Sequence, residues 1–128
     1  MPSTRVDIIK GWLGDRRADF LDAIHRALVE GIRIPENDRD IRLTEFDPAN
    51  VIKPVGTSPR HTNIEITLLT GRSLEAKRRL YAALVTHLAP FGLAPGDIKV
   101  ALIEVDAQNW GLRGLPASDI DLGFKVDV

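Results

Sequence analysis

Two residues of this chain could act in catalysis or binding because of their positions in the sequence. Pro2 directly follows the initiator methionine. If that methionine is removed, the proline nitrogen becomes a secondary amine, and desolvation or nearby cations can move its pKa toward the neutral range where it acts as a base. Arg72 stands in the stretch TGRSLEAK, between a strand-like and a helix-like segment. A guanidinium beside the open amides of a helix suits a small carboxylate.

The composition narrows the classes of function. The 128 residues include no cysteine, which excludes disulfides and thiol chemistry, and the three histidines share no metal-ligand spacing with acidic residues. Seventeen basic and eighteen acidic residues form no basic block, so we expect no nucleic-acid partner. No apolar run approaches the roughly 20 residues that span a bilayer, and no signal pattern is present at the start. We expect a cytoplasmic protein with no membrane contact.

The sequence contains an internal repeat. Gly11 aligns with Gly71 and Pro35 with Pro95, a separation of 60 residues that becomes 59 where one residue is dropped. Further matched pairs are Ile24 with Leu84, Leu28 with Leu88, Asp38 with Asp97, Leu43 with Leu102, and Glu45 with Glu104. This pattern indicates a duplicated unit.

Each half of the repeat predicts a strand, a helix and a second strand. Alternating Val, Ile and Thr residues mark the strands, and apolar residues at three- and four-residue spacing mark the helix between them. Asp15 and Ser73 are the expected helix N-caps. Two parallel strands joined by a helix form a right-handed crossover, so the fold class is α/β with two tandem β-α-β repeats.

The repeats predict a single domain with a four-stranded mixed sheet and two helices on one face. Alternation of Phe124, Val126 and Val128 predicts a short C-terminal strand after the second repeat. Because apolar residues stand on both sides of the predicted strands, we expect oligomerisation to bury the uncovered face of the sheet. The expected divisions are repeat one at about 2–46, a proline-rich linker at about 47–61, repeat two at about 62–114 and a tail at 115–128.

These motifs together resemble the tautomerase superfamily over nearly the whole chain. The stretches GRSLEAKRRL and DIKVALIEVDAQNWGLRG are similar to the 4-oxalocrotonate tautomerase subunit, in which a Gly-Arg-Ser/Thr turn opens the helix and an aromatic-Gly-x-x-Gly segment follows the last strand. The length and the stretch AIHRALVEGIRIPENDRD resemble the duplicated members, among them malonate semialdehyde decarboxylase and cis-3-chloroacrylic acid dehalogenase.

The resemblance implies a mechanism without a cofactor or metal. Pro2 matches the catalytic N-terminal proline of the family, which takes a proton from carbon beside a carbonyl and returns it elsewhere. Arg72 matches the arginine that holds the substrate carboxylate. The longer members form trimers, so the resemblance also implies a homotrimer and a small carboxylate substrate.

Two further residues carry either a functional or a structural interpretation. His25 resembles a substrate-binding histidine of the dehalogenase group, but a histidine on this face of a helix can equally lie at the edge of the core. Asp38 matches an aspartate that activates water in the decarboxylase group, although the stretch PENDRD is also an ordinary turn in which aspartate accepts from backbone amides.

Trp110 and Lys99 complete the candidate site. Trp110 occupies the aromatic position that forms an apolar wall beside the proline in the family, or alternatively covers a subunit boundary. Lys99 stands where the tautomerase subunit has a further arginine, so it keeps the charge but loses the planar fork. The decarboxylase and dehalogenase groups also carry a second arginine close to the position of Arg72, and this chain does not.

The sequence therefore predicts a cofactor-independent keto-enol tautomerase for a small 2-oxo or enol carboxylic acid. The alternatives are a decarboxylase or hydratase of a small oxo acid that uses the same amine, and a non-enzymatic trimeric binding protein. Removal of Met1 decides between an amine and an amide at Pro2, and thus whether base catalysis is available.

Overall fold

A computed structural model describes residues 2–128, so Met1 and the question of its removal lie outside the described residues. The main sheet has the order β2-β1-β3-β4, in which the β1–β2 and β3–β4 pairs are parallel and the central β1–β3 pair is antiparallel. Two β-α-β repeats thus join through their first strands. The elements are β1 (Ser3–Ile9), α1 (Arg17–Ile32), β2 (Ile41–Phe46), β3 (Thr62–Leu69), α2 (Leu74–Leu88), β4 (Ile98–Val105), β5 (Gly111–Leu112) and β6 (Leu115–Pro116).

The core lies between one face of this sheet and the two helices. Alternate residues of β1 and β3 point into it, as the period-two pattern predicts, and the helices supply the facing layer. The helices approach each other closely at Gly31, where an added Cβ would stand 2.5 Å from the Cα of Leu80. Fully buried large side chains of the core are Ile8, Leu13, Phe20, Ile24, Leu28, Ile32, Ile64, Ile66, Leu68, Leu80, Leu84 and Leu88.

The predicted repeat is visible in equivalent contacts. Gly11 and Gly71 take positive φ angles of 120° and 134° in the turns that follow β1 and β3. Arg17 near the start of α1 pairs with Glu45 at 2.7 Å, and the matching pair Lys77–Glu104 in the second half has the same separation. The glutamates at equivalent strand ends therefore tie each helix to its own second strand.

One of the two expected helix caps is wrong and the other is confirmed. Asp15 does not cap α1, because the helix begins at Arg17 without a side-chain cap and the guanidinium of Arg16 donates instead to the carbonyls of Trp12 and Leu13. Ser73 does cap α2, by accepting from the amide of Ala76 at 3.1 Å.

The short strands also lie earlier in the chain than the alternation indicated. Residues 124–128 form no strand, whereas β5 and β6 pair as a small antiparallel ribbon just after β4. The side chains of Phe124, Val126 and Val128 are still half-buried in alternation with exposed neighbours. The period-two pattern here reflects a chain that lies along a surface without ladder hydrogen bonds.

The uncovered face of the sheet is more polar than expected. Its central row runs across the strands through Asp7, Asn63 and Lys99, and the next row contains Arg5 and Glu65. The premise that apolar residues stand on both sides of the strands therefore fails for most of this face. Among residues 2–128, no helix is long and apolar enough to cross a membrane.

Candidate functional site

Most of the candidate residues meet at one edge of the main sheet, which we call the Pro2 edge. Because β1 and β3 are antiparallel, the start of β1 lies beside the end of β3, with Ser3 opposite Thr67. The loop before β2 and the loops after β3 and β4 reach the same edge, since each of these strands is parallel to its neighbour. The Pro2 edge consists of Pro2, the loop 35–40, the turn 70–73 and the segment 106–110.

Hydrogen bonds fix these pieces to one another. The amide of Thr4 donates to the carbonyl of Asp40 at 3.0 Å, which holds the loop before β2 against the start of β1. The amide of Thr70 donates to the carbonyl of Val105 at 3.0 Å, and its hydroxyl donates to the Asp106 carboxylate at 3.0 Å. The turn that carries Arg72 is thereby fixed to the end of β4.

Arg72 is the most unusual side chain of the Pro2 edge. It is only 5% exposed, and its Nη1 donates to the carbonyl of Leu69 at a long 3.4 Å. Nε and Nη2 are buried and have no hydrogen-bond partner among residues 2–128. Burial lowers the pKa of this guanidinium, and the nearby carboxylates of Asp38 and Glu104 act in the opposite direction. Burying a charged guanidinium with two unpaired donors costs free energy, and such an arrangement is typical of a group that binds an anion.

Pro2 is buried at this edge, immediately before the first residue of β1. Burial disfavours the ammonium form of a free amine, which lowers its affinity for a proton. The environment of Pro2 therefore suits a base if its nitrogen is free.

Asp38 and its repeat partner Asp97 have diverged. Asp97 accepts from the amide and the hydroxyl of Ser58 at 2.7 and 2.9 Å and from the amide of Ala94 at 3.2 Å. Burial raises the pKa of the Asp97 carboxyl, but these hydrogen bonds outweigh it and hold the pKa below its usual range. Asp97 is thus a structural turn residue, whereas Asp38 lies close enough to Arg72 for their charges to interact.

His25 is hydrogen-bonded to the loop 35–40 of the Pro2 edge, which carries Asp38. Its side chain is buried, and Nε2 is 2.8 Å from the carbonyl of Glu36, so Nε2 carries the proton and donates. Nδ1 then donates to a ligand only when the ring is protonated. His25 lines a cavity of about 290 Å³ with Arg26, Arg39, His87 and other residues of the helix side, and neither Pro2 nor Arg72 lines it.

Trp110 lies at the Pro2 edge, whereas Lys99 does not. The half-buried Trp110 follows β4 through a short turn, and its carbonyl accepts from the amide of Ala117 at 2.7 Å. Lys99 pairs with Asn63 at the opposite end of the sheet, about 20 Å away along β4 at the usual rise per residue. There it lines a separate cavity of about 390 Å³.

The sequence did not indicate that the end of the chain reaches the site. The amide of Ser73 donates to the main-chain oxygen of Val128 at 3.1 Å, and the Ser73 hydroxyl donates to the same oxygen at 2.7 Å. Val126 also lies against the turn, because its Cγ1 stands 3.3 Å from where a Cβ on Gly71 would be. The only sequence signal was the position of Ser73 next to Arg72.

Several known proteins are similar to this chain. A family model described as a tautomerase enzyme matches residues 38–113. The probable tautomerase YrdN of Bacillus subtilis is 29% identical over 116 residues, which cover 86% of this chain and 89% of that protein.

Two solved structures show the same fold. Malonate semialdehyde decarboxylase inhibited by 3-bromopropiolate has a TM-score of 0.77 and 34% identity, with 85% of this chain and 87% of that chain covered. A symmetric trimer of a wild-type fused 4-OT has a TM-score of 0.79 and 27% identity, with 90% and 95% covered.

Proposed function

Because the chain belongs to the tautomerase enzyme family, we propose that it catalyses cofactor-independent keto-enol tautomerisation of a small 2-oxo or enol carboxylic acid. One observation carries the proposal. The buried Nε and Nη2 donors of Arg72 have no partner among the described residues and lie at the same sheet edge as Pro2. These two donors match the two oxygens of a carboxylate in a bidentate pair.

In this proposal the free amine of Pro2 is the general base. It removes a proton from the carbon beside the carbonyl, or from the enol hydroxyl in the reverse direction, and the same proton returns to the other end of the enolate. Substrate and product are isomers, so no further reactant is needed. Holding the carboxylate on Arg72 fixes the distance and angle between the reacting carbon and the amine.

The other candidate residues take supporting roles. Trp110 provides an apolar wall that keeps water from the Pro2 amine, and positive charge beside the developing enolate lowers its energy. We propose that the protein assembles as a homotrimer, as the similar fused 4-OT does. Since Lys99 stands at the far end of its own sheet, it can supply that charge only to the Pro2 edge of a neighbouring copy.

Ketonisation of phenylenolpyruvate or 2-hydroxymuconate, followed by absorbance, tests the proposal. Intact mass first verifies that Met1 has been removed. We expect turnover that Pro2→Ala abolishes and that Pro48→Ala, at the opposite end of the sheet, leaves unchanged. Inertness of a preparation with a free Pro2 amine would refute the proposal, and binding of carboxylates without turnover would favour a trimeric binding protein.

A second candidate is decarboxylation or hydration of a small oxo acid. The similarity to malonate semialdehyde decarboxylase and the interaction of Asp38 with Arg72 favour it. Here Pro2 acts in its protonated form or as a Schiff-base nucleophile, and Asp38 positions water. Release of carbon dioxide from malonate semialdehyde, lost in Asp38→Asn but retained in Asp40→Asn, distinguishes this activity from tautomerisation.

A further inference from the structure

Two donors of Ser73 converge on a single oxygen atom. The backbone amide and the hydroxyl both donate to the main-chain oxygen of Val128, at 3.1 and 2.7 Å. The hydroxyl also accepts from the amide of Ala76 as the cap of α2. This second bond leaves its proton directed at Val128, so the donor pair is set in place by the helix itself.

The donor pair adjoins the anchor of the proposed function. Ser73 follows Arg72 directly, and the Arg72 side chain, itself buried, keeps two hydrogen-bond donors without a partner among residues 2–128. The start of α2 adds the positive end of the helix dipole. The turn therefore combines the Arg72 guanidinium, the two Ser73 donors and the helix N-terminus, all of which favour an anion. An oxygen of the protein already accepts from the Ser73 donors.

We propose that Ser73 is a further substrate-binding residue and that the main-chain oxygen of Val128 stands in for a substrate oxygen until the substrate displaces it. This inference rests on the proposed function, since it places the same carboxylate on Arg72 and Ser73 together. The segment Gly123–Val128 thus acts as a strap that competes with the substrate.

The strap is weakly attached to the rest of the fold. It forms no strand, its side chains Phe124, Val126 and Val128 are only half-buried, and Val128 lies at the margin of the core. A segment with so few buried contacts detaches at low free-energy cost. The apparent affinity for the substrate then falls by the fraction of molecules in which the strap is docked.

Binding of pyruvate, a small 2-oxo acid, measured by nitrogen-15 NMR tests the inference without turnover. The signals followed are the Ser73 amide and the Arg72 Nε–H. A chain that ends at Leu122 removes the strap, and Lys125→Ala, at an exposed residue of the same segment, is the matched control. Circular dichroism verifies that each variant is folded.

Removing the strap should tighten pyruvate binding about fivefold, the factor expected for one net hydrogen bond, while the control binds as the wild type does. In the shortened chain, Ser73→Gly should weaken binding about fivefold and Ser73→Thr should restore it, because glycine is a tolerated N-cap and threonine keeps the hydroxyl. In the full chain the same Ser73→Gly change should have less than a twofold effect, since it weakens the strap and the substrate site together.

Unchanged or weaker binding by the shortened chain would overturn the inference. So would a Ser73 amide that stays in place while the Arg72 signal moves. Failure of the proposed function gives a different result, because a protein without turnover can still show this binding pattern. An enzyme with turnover whose pyruvate binding does not depend on Ser73 refutes only the inference.

Discussion

Replacing Arg72 by methionine should make the protein more stable and much poorer at binding its substrate. The guanidinium is 5% exposed and makes one long hydrogen bond among the described residues. Exchanging buried ionic groups for apolar ones of similar volume can raise the free energy of unfolding by about 1–4 kcal/mol when no partner charge is left buried and unpaired. The carboxylates of Asp38 and Glu104 lose a favourable neighbour in the variant, so we expect the low end, about 1 kcal/mol, which corresponds to about 4 °C in Tm.

The loss in substrate binding follows from the two unpaired donors of Arg72, Nε and Nη2. A charge-assisted bidentate pair contributes about 3 kcal/mol, which corresponds to about a hundredfold rise in KM for a carboxylate substrate. Differential scanning calorimetry measures the first effect and steady-state kinetics the second. Arg78→Met, on the exposed side of α2, is the control and should change neither quantity.

Opposite signs for stability and binding are the signature of a charge kept buried for a ligand. A less stable Arg72→Met protein would mean that the guanidinium is a structural residue whose partners favour the fold. Full retention of substrate affinity would mean that the carboxylate binds elsewhere. Either result refutes the assignment of Arg72 as the anchor.

Three further results are expected. Gly31→Ala should destabilise the fold by about 3 kcal/mol in urea unfolding, because the new Cβ overlaps the backbone of Leu80 where the helices cross; an unchanged midpoint would contradict this close approach. Asp97 has a lowered pKa in the folded state. Its ionised carboxylate therefore stabilises the fold above the unfolded pKa of about 3.9, and this stabilisation is lost as the pH falls through the folded value. In thermal melts the Tm of Asp97→Asn should fall less with acid than the Tm of the wild type, and an equal fall would count against the assignment. Mixing subunits that carry Pro2→Ala with subunits that carry Lys99→Ala should restore activity that neither variant has alone, as measured after refolding together, and failure to complement would argue against a Lys99 supplied by a neighbouring copy.

The sequence predicted the fold well where the pattern had a single structural meaning. Alternation and helical spacing occurred twice in the same order, and the glycines at the two strand ends take the positive φ angles that such turns require. Ser73 was recognisable as a cap because a serine oxygen before a helix has few other uses. Asp15 misled because the preceding turn is closed by an arginine side chain that no local pattern announces.

The candidate site was predictable in its members more than in its arrangement. Pro2 and Arg72 came from position and motif, and the antiparallel pairing of β1 with β3 brings their segments to one edge. The distance of Lys99 from that edge depends on strand register, and the docking of Val128 on Ser73 depends on how the tail folds back. Such long-range contacts leave no periodic signal in a single sequence.

The antiparallel joining of two equivalent halves makes the two ends of the sheet unequal. The sheet has a second edge, related to the Pro2 edge by an approximate twofold axis, where the counterpart of Arg72 is Trp12. Only one half of the joined chain can begin with Pro2, so the proposed chemistry is confined to the Pro2 edge. Trp12 now packs edge-on against Phe20 with ring centres 5.6 Å apart, and Asp97 is fastened to Ser58. At the positions equivalent to Arg72 and Asp38, the second edge therefore has residues that stabilise the fold.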